Sequence, residues 1–174
     1  AKKMEEAIEN LRSQGESAGG IVKCIATNVP AGLGEPVFDK LDAQLAKAML
    51  SIGAIKGIEF GKGFDVADMF GSTNNDTAKA CENSVDFVTN NAGGILGGIS
   101  NGNTIEFSVA VKPVPSIFKV QNAISKTENG YTNTELQIKG RHDVCLCPRI
   151  VPVVEAMTNI VLADMILLNR AAKI

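Results

Sequence analysis

From Thr104 to Val111 the chain alternates, with Ile105, Phe107, Val109 and Val111 on one side and Glu106, Ser108 and Ala110 on the other. That is the period of a strand with one face buried. Elsewhere the apolar period lengthens. Ala1-Lys2-Lys3 leads into Met4, Ile8 and Leu11, which predict a helix ending near Gly15. Phe38, Leu41, Leu45, Met49 and Ile52 predict a second helix over Val37–Ile52, with Asp39, Lys40, Asp42, Gln44 and Lys47 on the wet side and Pro36 as its first-turn proline. Between these helices, Gly20 to Val29 reads as a strand by its β-branched content, and Pro30 to Pro36 as a loop.

Gly53-Ala54 closes the second helix, and Ile55 to Phe60 reads as a short strand bounded by glycines. Ser72 to Asn83 is polar and aperiodic and predicts a surface excursion, after which Val85 to Val88 leads into a glycine-rich run. Ile117–Val120 and Glu135–Ile138 predict two strands joined by a polar hairpin or loop around Asn129-Gly130. From about Val151 to Arg170 a long helix is apolar almost all round. Its polar breaks Glu155, Asn159 and Asp164 argue against a membrane span and place it in a core or between subunits.

Composition narrows the class. With 174 residues, 45% of them hydrophobic and 21% charged, the chain can build one ordinary core, so a single domain over 1–174 is expected. The net charge of -2 gives no electrostatic reason to expect nucleic acid or an anionic membrane. An aromatic share of 5% without tryptophan argues against a base-stacking platform. The four cysteines, Cys24, Cys81, Cys145 and Cys147, follow no secretory signal and read as reduced thiols in a cytoplasmic protein. Cys145-x-Cys147 lacks the further ligands and wider spacing of a zinc site, so no metal is expected.

Two stretches carry candidate chemistry. The run Asn90–Gly102 holds Gly93-Gly94 and Gly97-Gly98, a backbone bare of Cβ atoms, and the strand after it delivers Lys112 into Lys112-Pro113-Val114-Pro115-Ser116. Bare amides near a fixed lysine suit an anionic ligand such as a phosphate. The spacing also allows a plain reading, in which glycines four apart form a smooth strip for helix packing or simply build turns. Neither the P-loop nor the dinucleotide fingerprint is present. In the second stretch, Arg141, His142 and Asp143 stand in succession before the last helix. They read either as a surface pair with a polar filler, or as an anion holder (Arg141) beside a general base or proton relay (Asp143).

Taken together, Asn28–Ile52 (NVPAGLGEPVFDKLDAQLAKAMLSI), Ala54–Phe64 (AIKGIEFGKGF), Asn90–Gly102 (NNAGGILGGISNG), Lys112–Ile117 (KPVPSI) and Gly140–Cys145 (GRHDVC) resemble, in order, the carboxy-terminal half of chorismate synthases. The resemblance implies an α+β fold, part of a β-α-β sandwich with an antiparallel sheet packed on long helices, in a homotetramer. It also implies the last shared step of the shikimate pathway to the aromatic amino acids, a lyase reaction. Phosphate is eliminated anti-1,4 from 5-enolpyruvylshikimate 3-phosphate, with reduced FMN donating an electron transiently and the flavin with an aspartate taking the ring proton. Carried over, Asp143 is that aspartate and Arg141 a flavin or substrate contact, so both are candidate catalytic residues. The FMN contacts fall on Gly53, Ala54, Gly97, Lys112, Pro113, Val114, Pro115, Ser116 and Arg141.

Three positions depart from the pattern: Val144 where proline is usual, Val114 where threonine is usual, and Gly53 where a side-chain amide is frequent. The amino-terminal half, with its second catalytic histidine and phosphate-binding arginines, has no counterpart here, so a fragment inactive on its own is expected. The alternative is a non-catalytic FMN-binding or assembly module.

Overall fold

The computed structural model describes residues 2–82 and 84–172. Ala1, at the head of the first predicted helix, and Asn83, at the end of the predicted polar excursion, lie outside them. In chain order the elements are α1 (Lys2–Ser13), β1 (Gly20–Ala26), α2 (Leu41–Leu50), β2 (Ile55–Phe60), a 3-10 turn (Gly63–Asp68), α3 (Gly71–Asn74), β3 (Ala78–Cys81), β4 (Ser84–Phe87), β5 (Ile95–Leu96), β6 (Ile99–Ser100), β7 (Ile105–Val111), β8 (Gln121–Thr127), β9 (Gly130–Leu136) and α4 (Cys147–Ala172).

The alternating strand is the centre of the fold. β7 lies between β1 and β2, antiparallel to both, in a three-stranded sheet. Ile105, Phe107, Val109 and Val111 are all buried, facing α2 and α4, while Glu106, Ser108 and Ala110 face the other way. Phe107 pairs with Cys24 on one side and Phe60 on the other, its ring 5.6 Å from that of Phe60. Leu41, Leu45 and Met49 of α2 are completely buried, each contributing about 1.5–3 kcal/mol by leaving water. α4 adds Ile150, Val154, Thr158, Leu162 and Met165. The described residues therefore form two layers, a sheet and a helical layer on one of its faces. On the opposite face Lys23 bridges to Glu106 at 2.7 Å, and Ile21 is 69% exposed.

Several boundaries differ from the sequence expectation for physical reasons. The second helix begins at Leu41, not Val37: the Glu35 amide donates to the Asp39 carbonyl at 2.9 Å and Lys40 is extended (φ -56, ψ 145), so a turn occupies the expected first helical turn. Pro36 thus stands outside the helix, and Phe38, expected on its apolar face, is 90% exposed. β1 stops at Ala26 rather than Val29, where the partner strand β7 begins at Ile105. The excursion after Ser72 lies on the surface as expected but carries α3 and the β3–β4 hairpin.

The hairpin around Asn129-Gly130 exists, but its strands are β8 and β9, not Ile117–Val120 and Glu135–Ile138. Every residue of β9 is exposed, and without a buried face there is no alternation to read. α4 starts at Cys147, four residues ahead of Val151, because Pro148 fits a first turn that needs no donor there. By length and composition α4 could cross a bilayer. In this fold one of its faces lies in the core, whereas Val151, Val153, Ile160, Leu167 and Leu168 are exposed.

Candidate functional site

The glycine run resolves into turns, and the helical-strip reading fails. Gly97 (φ 61) and Gly98 (φ 85) join β5 to β6 as a two-residue hairpin turn with both angles positive, a geometry that glycine adopts without strain. Most of the bare backbone is taken up by the protein itself. A Cβ on Gly93 would lie 2.5 Å from the Gly61 nitrogen, and one on Gly94 2.5 Å from the Thr104 carbonyl oxygen. Gly98 faces the Lys40 side chain, and its carbonyl accepts the Leu41 amide at 2.8 Å. Gly97 differs, since nothing lies within 4 Å of where its Cβ would stand. Of the four glycines, only Gly97 leaves open space for an outside group.

The approach to this turn is anchored by a residue that sequence patterning passed over. Asp76 accepts the Asn91 amide at 2.6 Å, the Ala92 amide at 3.0 Å and the Thr89 hydroxyl at 2.8 Å. Burial pushes its carboxyl up, but these three donors together outweigh it and hold the group below the ordinary carboxylate range. An aspartate inside a polar, aperiodic segment gives no periodic signal to flag it.

At the far end of β7 a second set of residues assembles. The Lys112 amide donates to the Ala54 carbonyl at 2.8 Å. Ala54 has φ 73, and Gly53 beside it has open space where a Cβ would be. Pro113 packs against Gly19, the Val114 carbonyl accepts the Ser17 hydroxyl at 2.7 Å, and the Pro115 carbonyl accepts the Gln121 side-chain amide at 3.3 Å. Through these contacts the run Lys112–Ser116 is fastened along its length and delivers Ser116 to a cavity of ≈180 Å³, shared with Arg12, Glu16, Arg141, His142 and Asp143.

A neighbouring cavity of ≈430 Å³ shares Arg12, Arg141, His142 and Asp143 with the first and adds Cys145 and Arg149. Asp143 sits 3.1 Å from Arg149 of the first turn of α4. The His142 ring stands 5.7 Å from that of Phe118, with its Nε2 buried and lacking a hydrogen-bond partner. Glu16 is held by Lys119 at 2.7 Å, a hydrogen bond that lowers its carboxyl from the ordinary value. Arg12, Glu16 and Arg149 are the cavity residues that sequence reading missed. The first two lie on and just after an amphipathic surface helix, where charges carry no distinguishing signal, and Arg149 lies just ahead of Val151, where the apolar pattern places the start of the helix.

Of the expected site residues, Ala54 and Lys112 meet through a backbone hydrogen bond, and Ser116, Arg141 and Asp143 line one cavity, the two places joined by the run Lys112–Ser116. Gly97 does not join them. Its hairpin is tied to Leu41, and the adjoining Gly94 contacts Thr104, at the start of β7, whereas Lys112 follows its end. Strand rise puts the two roughly 20 Å apart. The idea that the glycines and the lysine form one cradle within a single chain is corrected accordingly.

A family model described as chorismate synthase matches residues 1–167. Among curated relatives, the chorismate synthase of Methanosarcina mazei is 56% identical over 164 residues, covering 94% of this chain and 44% of that protein. That of Dehalococcoides mccartyi is 51% identical over 166 residues, covering 95% of this chain and 45% of that protein. A solved structure described as a crystal structure of chorismate synthase superposes with a TM-score of 0.77 at 34% identity, covering 97% of this chain and 43% of that one. The chain therefore spans less than half the length of the relatives it matches.

Proposed function

The chain belongs to the chorismate synthase family, matching its carboxy-terminal part, and on that premise we propose that it carries one side of a site for the anti-1,4-elimination of phosphate from 5-enolpyruvylshikimate 3-phosphate, in the cytoplasm and within a homo-oligomer. The observation that supports the reading is that Ser116, at the end of the run Lys112–Ser116, shares a cavity with Arg12, Arg141 and Asp143, cations beside a carboxylate.

In this reading Arg141 and Arg12 hold anionic oxygens at the cavity by charge-assisted hydrogen bonds, while Lys112 does so at the Ala54 corner. Arg149 engages one oxygen of Asp143, which leaves the other to accept a proton from a ligand carbon. The donor set fits reduced FMN: amides at Gly53-Ala54, the extended run Lys112–Ser116, Arg141 for a phosphate or ring oxygen, and an unpartnered His142 Nε2 nearby. When bound, reduced FMN would supply the transient electron density that lets phosphate depart. Gly97, with its open space, would be a separate contact at the other end of β7.

The test joins this chain to the amino-terminal portion of the Methanosarcina mazei relative and measures phosphate release with reduced FMN, alongside flavin fluorescence titrations. Asp143→Asn is expected to lower turnover by at least about 10²-fold while retaining FMN, and Lys112→Ala to weaken FMN about tenfold, about 1.4 kcal/mol. The chain alone is expected to bind FMN weakly and turn over nothing; robust phosphate release by it would refute that. A role in assembly without chemistry is favoured by the exposed face of α4 that carries Val153, Ile160 and Leu167 at seven-residue spacing. It predicts no FMN response in either form.

A further inference from the structure

Cys145 and Cys147 are separated by one residue, at the point where the Arg141–Asp143 segment enters α4. Two residue steps span at most about 7 Å between Cα atoms, which overlaps the separations that disulfides bridge. Both thiols are free and half-buried. The other two cysteines are far from this arrangement in the fold: Cys24 meets Thr158 at 3.6 Å under the sheet, and Cys81 meets Asp86 at 3.0 Å on the β3–β4 hairpin.

We propose that Cys145 and Cys147 form a closable dithiol that reacts with a small disulfide of the glutathione type, and that its closure alters the Asp143–Arg149 contact. The two sulfurs have different surroundings. Cys145 lines the ≈430 Å³ cavity together with Arg141 and Arg149, cations that suit an anionic disulfide and the thiolate that attacks it. Cys147 is pressed against β1, where a Cβ on Gly20 would come within 2.7 Å of its sulfur. Burial, followed by the neighbouring Cys145, pushes its thiol up to about 11. Cys145 is therefore the entry sulfur and Cys147 the resolving one.

The exchange balances. The Cys145 thiol loses its proton and its sulfur attacks the small disulfide, releasing one small thiol that takes up a proton and leaving a mixed disulfide on Cys145. Cys147 then loses its proton and attacks the Cys145 sulfur, releasing the second small thiol. Two electrons pass from the dithiol to the small disulfide, which ends as two thiols. Closure constrains Leu146, the residue between the cysteines. Its carbonyl accepts the amides of Arg149 and Ile150, each at 3.0 Å, and Arg149 is the partner of Asp143. The proposal stands on these contacts whether or not the chain acts in phosphate elimination.

Trypsin isolates the site, because the peptide His142–Arg149 contains both cysteines and no other. The chain is equilibrated in glutathione buffers of rising oxidised fraction, quenched with iodoacetamide, digested and weighed. The expected result is loss of two hydrogens from that peptide while the peptides carrying Cys24 and Cys81 stay alkylated, and a glutathione adduct on Cys145 in Cys147→Ser. In the unaltered chain, phenylarsine oxide should block alkylation of both cysteines of the same peptide, an independent measure of sulfur proximity. Two separately glutathionylated or alkylated thiols under oxidising conditions, with no arsenical protection, would overturn the site. Hydrogen exchange at the Arg149 and Ile150 amides should change on closure, and unchanged protection in the closed form would overturn the coupling to Asp143.

Discussion

The Asp143 carboxylate lies 3.1 Å from the Arg149 guanidinium, tying the segment before α4 to the helix's own first turn. Because these side chains are 36% and 66% exposed, the pair is worth no more than about 1 kcal/mol to stability, and its consequence is the direction in which Asp143 points. Arg149→Ala should lower the free energy of unfolding by less than about 1 kcal/mol in denaturant titrations. A loss several times larger would mean the pair anchors the fold rather than orients a side chain.

Two glycines of one run should respond differently to alanine. At Gly97 the only penalty is φ 61, roughly 1–2 kcal/mol. At Gly94, φ 82 is joined by a collision at 2.5 Å with the Thr104 carbonyl oxygen, so the loss should exceed that of Gly97→Ala by at least about 1 kcal/mol. Equal losses in chemical denaturation would contradict the packing described for Gly94.

Asp76→Ala strands the amides of Asn91 and Ala92, at an expected loss of about 1–3 kcal/mol at neutral pH. Its carboxyl is held below the ordinary range in the folded chain, so the stabilisation is complete above the unfolded value near about 4 and disappears as pH falls through the lower folded value. The midpoints of the parent and the variant should therefore converge on acidification. A gap that stays constant down to strongly acidic pH would argue against this role.

Phe107 and Phe38 offer a contrast within one residue type. Phe107→Ala empties a site 1% exposed at the middle of the central strand and should cost about 3–5 kcal/mol. Phe38→Ala, at 90% exposure, should stay within about 0.5 kcal/mol. Comparable thermal shifts for the two would place Phe38 in a buried environment after all.

The legible parts of the fold are those with one buried face. β7 could be read residue by residue because Ile105, Phe107, Val109 and Val111 share a single apolar environment. The same logic located the core-facing stretch of α2, while bounding glycines located β2 to the residue. It failed at Val37 and Phe38, where apolar spacing continued past a backbone turn closed by Glu35 and Asp39. It failed again at β8–β9, a hairpin in which β9 is exposed throughout and β8 has no buried residue. Of the candidate site, Lys112–Ser116 and Arg141–Asp143 were visible as motifs, whereas Arg12, Glu16 and Arg149 were not.

Periodicity along the chain was enough to determine the central strand, local chemistry the residue types available for binding anions, and the resemblance of its motifs the family. Which of those residues meet was decided by the pairing of β7 with β1 and β2, which sets the Gly97 turn at one end of the sheet and Lys112, Ala54 and the Arg141–Asp143 segment at the other. Proximity along a sequence does not survive a strand of seven residues, because an extended backbone carries its two ends about 20 Å apart.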